Sequence, residues 1–314
     1  MIVTNGQLAT TLKTVQKKFV NDFDKGIKLQ SWDSYVTTVP VTSESVDLSW
    51  FGATPVMVDT TDGVVSFAGA QDYDYNLKPR FWQAGLQFKR SWWEKDQLGH
   101  AKTLVSRFAQ RALRNRGKEI LNLASANGNA FDGTAFFANT RVQGASGNID
   151  NTLTVSAAAP TAPTPAEIAT GLSAAFVRMA AFADDKGEVL GLNFDTFLVP
   201  TQLWIPMYQG LAVGLGNSTD APLPPVPSEG SVKVGPYTMI LNYITSDADK
   251  VIALHTTDEV KPFVIAEAAK PYMTGQTTKD IDWWEVKRAV PYVVTDEFTT
   301  GYGDPRTALE LTFA

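Results

Sequence analysis

From residue 98 to residue 126 the sequence contains no proline, and only Gly99 and Gly117 weaken an otherwise helix-favouring run. Ala101, Leu104, Val105, Phe108 and Ala112 recur at spacings of three and four, and Leu113, Ile120, Leu121 and Ala124 continue the stripe. Asp96 stands where an N-cap is needed and Asn127-Gly128 where a helix stops. At 1.5 Å per residue the pattern predicts a rod roughly 40 Å long. Its polar face is basic: Lys102, Arg107, Arg111, Arg114, Arg116 and Lys118 are opposed by Glu119 alone.

Ahead of this rod, residues 5–23 repeat Leu8, Leu12, Val15 and Phe19 at helical spacing, with Gly26 as the expected stop. Residues 26–40 carry little pattern and read as an extended arm. The stretch 46–95 reads as strands and turns, rich in aromatic and β-branched residues and punctuated by Pro55, Gly63, Gly69 and Pro79. Within it, Trp82, Ala84, Leu86 and Phe88 alternate with Phe81, Gln83, Gly85, Gln87 and Lys89, and Trp92 and Trp93 follow. Period two gives a strand with one apolar face. A strand pair standing out from a domain cannot bury such a face by itself, so the expectation is a neighbour that covers it.

Beyond the rod, residues 144–165 read as a loop or crossover. A second helix is predicted from Thr164 as N-cap, with Pro165 in its first turn and Glu167 completing a capping box, to about Ala183. A buried strand over 194–199 leads into a helix opened by Pro200 and running to Leu211. Four prolines mark 214–230 as a loop. Strands are expected over 237–241, 251–255 and 263–266, and again across 282–313 with turns at 301–305. No internal repeat is visible, and the mixture is α+β.

Composition narrows the function classes. With 314 residues the chain suits one large or two interleaved domains. Charged residues are 19%, below the roughly 25% of average soluble proteins, which suits a surface hidden against copies of itself. A net charge of −6 argues against a dedicated reader of DNA sequence. The absence of cysteine excludes disulfides, thiolate metal sites and cysteine nucleophiles. No signal peptide or membrane-length apolar run is present, so synthesis in the cytoplasm is expected. His100 and His255 are the only histidines, and neither sits in a metal-binding or nucleophile motif. The acidic pairs Asp72/Asp74, Glu94/Asp96, Asp280/Asp282 and Asp296/Glu297 read as solvated charge. Gly210, Gly214 and Gly216 follow a helix where a dinucleotide loop would follow a strand. The chain is therefore expected to be no enzyme, with no cofactor and no metal.

The order of elements resembles that of the Hong Kong 97-type phage capsid fold, and several local runs resemble the Mu-like phage major head subunit family. These are the opening Met1-Ile2-Val3-Thr4, the run from Arg90 through Trp92, Trp93, Glu94 and Asp96 to Leu98 and Gly99, and Phe131-Asp132-Gly133 followed by Phe136-Phe137. Val199-Pro200-Thr201 with Leu203 is the last. The resemblance is densest over residues 1–140, and Asn139-Thr140-Arg141 stands where the family often has His-Pro. It implies an N-terminal helix and arm (1–45), an E-loop (46–95), a peripheral domain (96–163) with a spine helix at 98–126, an axial domain (164–270) and strands returning to the peripheral domain (271–314). It further implies a major capsid protein whose hexamers and pentamers close into an icosahedral shell inside the host cytoplasm. The E-loop would lie on an adjacent subunit through Phe81, Trp82, Leu86, Phe88, Arg90, Trp92 and Trp93. The basic helix face would meet acidic residues of a neighbour or touch packaged DNA without reading it. A portal, a separate scaffold and decoration proteins are the expected partners, with no membrane. A tail tube subunit and a hydrolase with an acidic cleft are the rival readings.

Overall fold

In the computed structural model, residues 4–27, 30–51, 72–94, 98–214, 231–245, 247–257, 261–279 and 281–314 are described. Five α-helices run in chain order: α1 (Asn5–Ile27), α2 (Arg90–Glu94), α3 (Leu98–Ala126), α4 (Pro165–Ala180) and α5 (Trp204–Gly214). The strands are β1 (Val36–Pro40), β2 (Val46–Phe51), β3 (Asp72–Leu77), β4 (Arg80–Lys89), β5 (Arg141–Val142), β6 (Asn148–Ile149), β7 (Thr152–Val155), β8 (Thr196–Pro200), β9 (Ser231–Val234), β10 (Tyr237–Asn242), β11 (Lys250–Leu254), β12 (Phe263–Gly275), β13 (Ala289–Tyr302) and β14 (Ala308–Phe313).

The long helix has the predicted bounds. Its end is fixed where Asn127 turns to φ 45, a left-handed residue at the position after the helix. Asp96, the expected cap at its start, lies outside the described residues. Helix α1 packs along α3, and both lie on a four-stranded sheet ordered β1-β12-β13-β4. Gly26 does not end α1. It lies in the last turn, where a Cβ would come 2.3 Å from Leu113 Cδ1, so its small size lets the two helices meet.

A second sheet is ordered β7-β14-β11-β8-β10-β9 and is buried on both faces. Phe197, Val199, Met239, Val251 and Ala253 pack in one core with α4 and α5. Leu198, Ile240, Ile252 and Leu254, one residue out of phase, enter the other core with α1, α3 and the four-stranded sheet. This is why β8 and β11 read as continuous apolar runs rather than as alternation. Helix α4 starts as expected: the Thr164 side chain accepts from the Glu167 N–H, and the Glu167 carboxylate accepts from the Thr164 N–H.

Three segments differ from expectation. Residues 26–40 form no free arm: a 3-10 turn (Ser31–Tyr35) buries Trp32 and Tyr35, and β1 pairs in parallel with β12. The partner strand lies more than 220 residues away, beyond the reach of any local pattern. Within the expected crossover, β7 pairs with β14. Finally, β12 and β13 join the four-stranded sheet while β14 joins the six-stranded one, so the returning strands serve both layers.

Candidate assembly surface

At about 100° per residue, Arg107, Arg111, Arg114 and Lys118 fall within roughly 60° of one another around α3 and within about 17 Å along it. All four are exposed, as is Lys102 nearer the helix start and outside this stripe. Arg116 does not belong to that face. It projects to the opposite side of the helix and is 2% exposed. Its Nε and one terminal nitrogen donate to the two Asp296 carboxylate oxygens at 3.0 and 2.6 Å, and the other terminal nitrogen lies 2.8 Å from Glu267. The guanidinium also stacks over Phe23 and Phe298. Burial would lower its pKa, but Asp296 and Glu267 outweigh that and hold it protonated above its ordinary range. Arg116 thus ties α3 to β12, β13 and α1. It clamps the fold and leaves the surface stripe to the other cations.

The aromatic strand is also placed differently from expectation. β4 is the edge strand of the four-stranded sheet and pairs antiparallel with β13 of the same chain. Its apolar face turns inward. Phe88 is fully buried, 4.6 Å centroid to centroid from Tyr292, and Trp82 stacks on Phe298 at 5.7 Å and donates from Nε1 to its carbonyl. Leu86 and Trp92 pack partly buried against the same core. Arg90 is bound to Glu285 at 2.8 Å and lies over Trp284. The Trp93 side chain lies outside the description. Of the six residues expected to meet a neighbouring subunit whose side chains are described, Phe81 alone combines a large apolar side chain with strong exposure, at 69%. Along the face predicted to be apolar, the chain's own core takes Phe88 fully and Trp82 and Leu86 in part, while Ala84 stays exposed.

Strands β2 and β3 form a hairpin rooted where Val41, Leu77, Val264 and Ala266 pack together. Residues 52–71, between its strands, lie outside the described residues. Residues 46–77 contain Asp47, Asp59, Asp62, Asp72 and Asp74 and no Lys, Arg or Glu.

The Phe131-Asp132-Gly133 run has a structural explanation. Arg141 is buried, donates to Asp132 at 2.7 Å and to the Phe136 and Ala135 carbonyls, and so locks the turn that follows α3. Phe136 stacks on Tyr302, whose hydroxyl donates to the Leu123 carbonyl and accepts from the Gly128 N–H. Nothing in the sequence marks Tyr302, whose hydroxyl partners are backbone groups. His255 bonds the Asn193 carbonyl, and His100 stacks beside Trp92. Among the described residues no group of three or more His, Cys, Asp or Glu could hold a metal ion, and no helix is long and apolar enough to cross a membrane.

Charge is segregated. Residues 5–27 and 98–126 hold ten Lys or Arg against three Asp or Glu, a surplus of seven, so in a chain of net charge −6 the remainder carries −13. A model of the Mu-like prophage major head subunit matches residues 9–165. The chain belongs to that family. It is a major capsid protein, a virion component that builds the head shell, and the tail-tube and hydrolase readings give way to this one. Solved structures share the Hong Kong 97-type fold at low identity. The bacteriophage JBD30 procapsid matches at 15% identity and TM-score 0.55, over 97% of this chain and 76% of that one. The cyanophage P-SCSP1u capsid matches at 12% and 0.53, over 91% and 88%. A virus-like particle from Pyrococcus furiosus matches at 9% and 0.54, over 96% and 99%. No curated protein matches.

Proposed function

We propose that copies of this chain close as hexamers and pentamers into an icosahedral shell with the α1/α3 layer turned toward the packaged genome. The single observation that carries this orientation is a positive surplus on two helices, six charges with the buried Arg116 set aside, in a chain whose remainder is strongly acidic. Lys13 and Lys17 are exposed on α1, as Arg107, Arg111, Arg114 and Lys118 are on α3. A layer of this kind binds phosphates without reading bases, and its affinity falls with salt as bound counterions are restored. On this reading the peripheral domain is the four-stranded sheet with α1 and α3. The axial domain is the six-stranded sheet with α4 and α5. The E-loop that reaches the adjacent subunit is the acidic β2/β3 hairpin, with Phe81 at its base. Synthesis and assembly take place in the host cytoplasm, and a portal, a separate scaffold and decoration proteins complete the particle.

The test is the double reversal Arg111→Glu with Arg114→Glu. Shells are expected to form, while DNA retained per particle falls and becomes more sensitive to salt. Normal yields of full particles would reject the orientation. Loss of shells altogether would assign the stripe to contact with acidic residues of a neighbouring subunit instead.

A further inference from the structure

A cavity of ≈ 580 Å³ lies between the last turn of α1, the 3-10 turn, α3 and β10, a size usual for small-ligand sites. Leu121, Ile240 and Leu241 make part of its wall apolar. The polar part is Gln30, Trp32, Tyr35, Gln110, Arg114 and Tyr243. Among the described residues, none of these six side chains has a hydrogen-bond or ion-pair partner in the subunit. For Gln110, Arg114 and Tyr243, which are exposed, water serves. Trp32 and Tyr35 are different, at 4% and 1% exposure. Burial, with Tyr243 close by, pushes the Tyr35 pKa up, so its hydroxyl keeps the proton and stands as a donor. Buried donors without acceptors are rare in native proteins, because each forfeits its hydration for nothing. Two of them on the wall of one cavity call for an occupant that brings acceptors.

The wall also sets the occupant's chemistry. Among the described lining residues Arg114 alone is charged, so the cavity selects an anion although the chain as a whole carries −6. Tryptophan and arginine side chains donate and do not accept, which again asks for acceptors on the ligand. Three aromatic residues beside aliphatic ones ask for a flat, largely apolar body, and aromatic side chains are the usual platform for unpaired bases. Arg114 belongs as well to the stripe that faces the genome on the reading above. We infer that this cavity holds a nucleotide, with its base among Trp32, Tyr35 and Tyr243 and its phosphate at Arg114. The same chemistry has two sources, an unpaired nucleotide of packaged DNA and a free nucleoside monophosphate. The first source rests on the genome-facing reading, and the second does not.

The probes are bromodeoxyuridine monophosphate and a short single-stranded oligonucleotide carrying one bromouracil, each irradiated with the full-length chain. Cross-links are expected on peptides containing Trp32, Tyr35 or Tyr243, located by mass spectrometry. In calorimetry Tyr35→Phe, which keeps the ring and the fold, is expected to bind the monophosphate roughly three- to tenfold more weakly, and Arg114→Met at least about tenfold more weakly. Deoxyribose phosphate, which lacks the base, is expected to bind far more weakly than the nucleotide. Cross-links at the same residues in filled particles with bromouracil-substituted DNA would assign the genome as the source. Cross-links with the monophosphate alone would assign the free nucleotide. Absence of cross-links at all three residues with both probes would overturn the site. So would equal affinity for deoxyribose phosphate, or an unchanged affinity in Tyr35→Phe. Normal yields of full particles from the double arginine reversal would remove the genome-facing reading and leave monophosphate binding by the unaltered chain as a separate result.

Discussion

Arg116 shows how much one side chain decides in this subunit. Two carboxylates, Asp296 and Glu267, are drawn into the interior around it, and neither is tolerable there without the guanidinium. Arg116→Met keeps the length and apolar stem of the side chain but leaves the buried Asp296 and the half-buried Glu267 uncompensated, so a loss of about 3–5 kcal/mol is expected in urea denaturation. Arg114→Met, two positions away on the open side, should cost less than about 0.5 kcal/mol. The sequence presented these arginines as one basic face, because composition lists cations and only their angular positions separate them. A milder case is Asp22. Burial raises its pKa, but bonds from Lys18 and Ser106 outweigh this and hold the carboxyl below its ordinary value. A depressed folded pKa contributes stability above the unfolded value, and that contribution is lost as pH falls through the folded one. Asp22→Asn should therefore flatten the acid limb of the stability curve below about pH 4, measured by denaturation at several pH values.

At the level of elements, legibility followed the range of the interactions that define them. Helix α3 and the capped start of α4 were readable because their signals, spacing and caps, lie within a few residues of each other. β1 and β7 were not, since each exists only by pairing with a strand more than 150 residues distant. Gly117 illustrates the limit from the other side. Mid-helix glycine normally costs about 1 kcal/mol relative to alanine, so Gly117→Ala looks stabilising from sequence. A Cβ there would come 2.9 Å from the buried Trp32 ring. Overpacking typically costs about 1–3 kcal/mol and is expected to win, lowering the midpoint of thermal unfolding.

For the whole molecule, the sequence predicts an apolar strand in search of a partner on another copy. That strand found its partner at home, and family membership together with the shared fold carries the shell function instead. The two situations predict opposite phenotypes. Phe88→Ala should remove about 3–5 kcal/mol and leave little folded subunit, as judged by denaturation. Phe81→Ala should leave stability within about 0.5 kcal/mol of the parent while reducing particle yield under negative stain. Periodicity could assign the faces of β4, but which surface covers a face depends on topology that no window of residues contains. The position of β14 has a further consequence. Because it lies between β7 and β11, the six-stranded sheet stays split while a ribosome is still translating residues before 308. A nascent chain therefore holds β7 without its partner strand and β11 with one edge open until translation has passed β14.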